Sequence, residues 1–100
     1  MSGLKGRTVR IVVDEPHDWN QGNLFGTIIS AQGKTEAIVK LTKKIKGPKL
    51  TSDLLKVSTR QEGESLMVLN LNYSAKIAGV LVTKDTNESD PILMGNMIFD

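Results

Sequence analysis

The stretch VRIVVDEPHDWNQGNLFGTIISA, Val9–Ala31, decides the fold. Val9, Ile11 and Val13 alternate with Arg10 and Val12, a period-two pattern that places one face of a strand in a core. The strand runs into Asp14-Glu15-Pro16, where proline removes a ladder donor and forces a turn. A polar loop follows, and Gly22 and Gly26 bracket the entry to a second apolar run containing Leu24, Phe25, Ile28 and Ile29. A strand, a long loop and a glycine-rich strand are how many small β-barrels begin.

Working outward, strand one is expected over residues 7–13 and strand two over residues 24–31. Gln32-Gly33-Lys34 is a turn signal. Beyond it, Ala37, Val39 and Leu41 alternate with Ile38, Lys40 and Thr42, predicting strand three over residues 36–43. A basic loop broken by Gly47-Pro48 comes next. Thr51-Ser52-Asp53 suits the cap of a short helical turn, while residues 55–59 suit a strand, and period alone does not separate the two. Apolar runs at 66–71, 77–83 and 92–99 predict three further strands. The first and last show little polar alternation, which implies burial on both faces or contact with another chain. Phe25 and Phe99 both sit in runs that read as buried.

One hundred residues make one domain, and 39% apolar residues are enough for a core of that size. The absence of cysteine excludes disulfides and thiolate metal sites. No run has the length of a membrane span, and Met1–Arg7 lacks the apolar centre of a signal peptide, so a cytoplasmic protein is expected. A net charge of +2 gives weak long-range steering, so distribution matters more than total.

Residues 7–60 resemble the SH3-like barrels, above all their KOW and Tudor-type members. The likeness is carried by Val9–Val13, by Gly22-Asn23-Leu24-Phe25-Gly26-Thr27-Ile28, by the Gly33 hairpin and by Leu54-Leu55-Lys56-Val57. It implies a binding fold used for ribosomal, nucleic-acid or protein contacts, with ligands met by the loops. The expected architecture is all-β: a small, SH3-like, partly open barrel of six or seven strands with a C-terminal meander.

Two clusters carry possible chemistry. The loop with Asp14, Glu15, His17, Asp18 and Trp19 holds the only histidine and the only tryptophan. As ligands, four neighbours on one loop rarely converge on a metal, so a solvated acidic loop with Trp19 folded over the barrel mouth is the simpler reading. Trp19 also suits the anchor of a protein interface. The second cluster is Lys40, Lys43, Lys44, Lys46 and Lys49, which either grips phosphates or is a solvated face that discourages edge pairing. Four aromatic residues are few for a single-strand binder or a proline-peptide groove. The run over residues 92–99 reads first as a buried closing strand; alternatively, Met94 and Met97 suit an adaptable contact, including a homodimer through its edge.

No serine motif, phosphate loop, metal set or cofactor site is read from the chain, so no enzyme is expected. The leading expectation is a non-catalytic module docking onto another protein or a larger assembly through its loops and C-terminal strand. The alternative is a nucleic-acid backbone binder using residues 40–49. A third reading is a small metal-dependent or hydrolytic enzyme built on His17.

Overall fold

The computed structural model describes residues 5–14, 22–32, 35–60, 74–83 and 89–99. Six strands occur in chain order: β1 Thr8–Val13, β2 Asn23–Gln32, β3 Glu36–Lys46, β4 Thr51–Thr59, β5 Ser74–Val82 and β6 Ser89–Phe99. Each pairs antiparallel with the next, and β6 returns to pair with β1, so the sheet is a closed up-and-down barrel. No helix occurs among the described residues.

The all-β barrel follows from the alternation. Val9, Ile11 and Val13 of β1, Val39 and Leu41 of β3, and Leu55 and Val57 of β4 all point inward and are buried. Ile28, Ile77, Leu81, Met97 and Phe99 complete the filling from the remaining strands. A six-stranded barrel is narrow, so side chains fill it, and small residues must stand where strands approach closely. A Cβ on Gly26 would lie 2.6 Å from both the Lys40 carbonyl oxygen and Val39 Cγ1. A Cβ on Gly95 would meet the Val12 carbonyl oxygen at the closing seam. Those two glycines let neighbouring backbones pass.

One expectation is corrected and two open alternatives are decided. The barrel is closed rather than partly open, because Val9 to Val13 pair with Phe99 to Gly95 in register. The C-terminal run is therefore a closing strand, and along Gly95–Phe99 both its ladder edges are occupied, by β5 and by β1. Edge addition of a second copy has no place there. Finally, residues 51–53 form the start of β4 instead of a helical turn. Thr51 and Ser52 pair with Lys46 and Ile45 of β3. The Ser52 hydroxyl points inward, where it donates to the Val82 carbonyl and accepts from the Leu54 N–H at 3.0 Å. The strand expected over residues 66–71 and the turn at Gly33-Lys34 lie outside the described residues.

In a meander, alternate connections leave from opposite ends. The β1–β2, β3–β4 and β5–β6 connections therefore share one end of the barrel. Asp14 at the end of β1 and Lys46 and Lys49 at the β3–β4 turn lie at that end. Among the described residues there is no helix long and apolar enough to cross a membrane.

Candidate nucleic-acid interface

The lysine cluster is built by an irregularity in β3. Lys40 pairs with Leu54, and the next pair is Ile45 with Ser52, so Leu41 to Lys44 face Asp53 alone. The excess backbone has to bow away from the ladder. Leu41 and Ile45 anchor its two ends in the core, while Thr42, Lys43 and Lys44 are exposed between them. Lys46 is exposed at the tip. The Gly47 N–H donates to the Leu50 carbonyl at 2.8 Å across Pro48 and Lys49, which closes the hairpin. Proline at the turn fixes a negative φ and fits the sharp reversal. Buried Leu50 holds the hairpin to the core, and Lys49 is exposed beside it.

One carboxylate sits in this patch. Lys40 Nζ lies 2.9 Å from Asp53 Oδ2. The hydrogen bond from Lys40 holds the Asp53 carboxyl below its ordinary range, against a smaller opposing effect of burial, and the charge of Lys44 adds to the lowering. Lys40 is thus partly committed within the molecule. Lys43, Lys44 and Lys46 have no carboxylate within ion-pair distance among the described residues. The other lysine pair, Lys56 with Glu36 at 3.4 Å, bridges β4 and β3 at the opposite end of β3.

The strands beside the hairpin carry a residue that the sequence reading placed in the core. Phe25 is 50% exposed on the outer face of β2, whereas Phe99 is buried as expected. The run Leu24 to Ile29 is apolar on both faces, and period two leaves open which set points inward. Ladder position decides it: Leu24 pairs with inward Ile11, so Phe25 pairs with outward Arg10. On the other side of β2, Thr27 pairs with Lys40, which makes Lys40 a diagonal neighbour of Phe25. Outward positions of β1, β2 and β3 therefore hold Arg10, Phe25, Lys40, Thr42 and Lys44. The signal that would have found Phe25 is the Arg10–Phe25 register, which no single strand contains.

Of the acidic loop, Asp14 is described. It is exposed, its N–H donates to the Met94 carbonyl at 2.9 Å, and its carboxylate lies 3.6 Å from Arg60 Nη1. β1 and β4 are not neighbours in the barrel, so this pair reaches between strands that share no ladder. Glu15, His17, Asp18 and Trp19 lie outside the described residues. Among those described, no three His, Asp or Glu side chains gather as a metal site would need.

Comparison with known proteins adds no kinship: no family model, no curated protein and no solved structure matches the chain.

Proposed function

We propose that this chain is a non-catalytic module that binds nucleic acid through phosphate contacts made by the β3–β4 hairpin. The observation that carries the reading is the bowed segment of β3, which holds Lys43 and Lys44 outward with Lys46 beyond them and no described carboxylate paired to any of the three. A solvated lysine face needs no such excess backbone. An arm of cations with no ion pair among the described residues, anchored at both ends by buried Leu41 and Ile45, gives phosphates well-placed partners. Each lysine that neutralises a phosphate releases a condensed counterion, so binding gains the entropy of that release and weakens as bulk salt rises. The likeness of residues 7–60 to KOW and Tudor-type barrels agrees with this reading without carrying it.

Fluorescence anisotropy with labelled oligonucleotides at rising salt tests the proposal. Binding at low salt should weaken as salt rises. Replacing Lys43, Lys44 and Lys46 with Ala should flatten the plot of log affinity against log salt by about 0.9 for each lysine lost on a duplex. No binding by the wild-type protein at low salt, or an unchanged slope in the variant, would overturn it.

A further inference from the structure

We infer that the preferred nucleic acid is a single strand, laid across the outer face of β1, β2 and β3 with a base stacked on Phe25. This rests on the hairpin reading above and names the ligand class of the same site. Phe25 is one of three large apolar side chains exposed among the described residues, the others being Ile29 and Met94. Ile29 has a local cause, since the register of β2 shifts between Ile28 and Ser30 and leaves it out of the ladder. Phe25 has no such bulge in its ladder with β1, where Arg10 stands directly opposite.

Its surroundings point to the occupant. Around the ring stand Arg10 on β1, Asn23 and Thr27 on β2, and Lys40 with Thr42 on β3. β1 and β2 contain no Asp or Glu at all, and β3 has only Glu36 at its far end, ion-paired to Lys56. Among the described residues, an apolar protein partner would meet cations and polar side chains around one ring. A polynucleotide meets an aromatic surface for a base and cations on the two flanking strands for the neighbouring phosphates. Arg10 and Lys44 have no ion pair among the described residues, and Lys40 would exchange Asp53 for a phosphate. Bases within a duplex are already stacked on their neighbours, so only an unpaired strand can offer a face to Phe25.

The test compares single-stranded pyrimidine RNA and DNA with duplexes of equal length, at one salt concentration, for wild-type protein and the Phe25→Ala, Phe25→Leu and Phe25→Trp variants. Phe25→Leu keeps apolar bulk without a ring face, and circular dichroism checks that each variant is folded. The wild type should bind single strands of one or both sugars more tightly than duplex. Phe25→Ala and Phe25→Leu should lose roughly 5- to 100-fold on the single strand, the stacking loss converted to affinity, with duplex binding unchanged. Phe25→Trp should retain it. Equal or tighter duplex binding, or a Phe25→Leu variant that matches wild type on single strands, would sink the stacking inference. The hairpin reading would then survive as long as the lysine variant still loses its salt slope. Silence of every oligonucleotide at low salt would remove both.

Discussion

Among the described residues Ser52 is the buried polar side chain, and its hydroxyl is used twice. It donates to the Val82 carbonyl, where the β4–β5 ladder has its last pair, and it accepts from the Leu54 N–H. Removing a hydroxyl that satisfies buried backbone groups leaves them desolvated and unpaired, which costs about 1–3 kcal/mol. Ser52→Ala should therefore lower the unfolding free energy by that amount, read as a lower urea midpoint with the slope unchanged. A loss within a few tenths would mean that water replaces the hydroxyl. Neighbouring Asp53 obeys different physics, because it is on the surface. The Lys40 hydrogen bond lowers its native pKa below the unfolded value. A lowered carboxylate contributes stability that is fully present above the unfolded pKa and is lost as pH falls through the native one. Lys40→Ala should raise the Asp53 titration midpoint, read by NMR, back towards the ordinary carboxylate range. An unmoved midpoint would show that Lys40 is not the cause.

At the scale of elements, the β3–β4 hairpin places a single acid against a row of bases, so that acid restrains the patch. Asp53→Asn should free Lys40 and remove the field that Asp53 exerts on Lys44. Nucleic-acid affinity at low salt should rise, and the salt slope should steepen by about 0.7–0.9 if Lys40 then takes a phosphate. Weaker binding in that variant would mean that Asp53 positions Lys40 rather than masks it. The five lysines were legible from residues 40–49 alone, but their presentation was not. Strand three reads by alternation only as far as Lys43, whereas β3 extends to Lys46. The bowed segment has the burial order in, out, out, out, in from Leu41 to Ile45, which fits no single period. Thr51-Ser52-Asp53 is ambiguous in the sequence for a related reason: just before the apolar pair Leu54-Leu55 it has the chemistry of a helix cap, and only the partner carbonyl of Val82, thirty residues away, makes Ser52 a core hydroxyl. Phe25 was lost because both faces of its strand are apolar. Inside strands with clean alternation, β1 above all, the inward set was read correctly.

For the whole molecule, the decisive contact is the one farthest apart in sequence. β1 pairs with β6, Val9 with Phe99 and Ile11 with Met97, so the first strand has one ladder edge unsatisfied until the last strand arrives. The apolar run over residues 92–99 suggests a closing strand, but no local pattern names β1 as its partner, so the barrel reads from the sequence as partly open. Closure also has an energetic consequence. The interior is one continuous cluster to which all six strands contribute, so no pair of strands holds a separable core. Opening the seam would expose two strand edges and Met97 together. Unfolding should therefore be all-or-none, and folding should be slow, on the millisecond-to-second scale of proteins dominated by distant pairings. Met97→Ala tests this at the seam: deleting a fully buried side chain should cost about 2–5 kcal/mol. If closure makes one cooperative unit, that loss should appear equally in the exchange protection of β3–β4 amides, on the far side of the barrel, and of β1–β6 amides. Loss confined to β1 and β6, with β2 to β5 still protected, would mean that the four central strands hold together as an open sheet and that the seam only latches it.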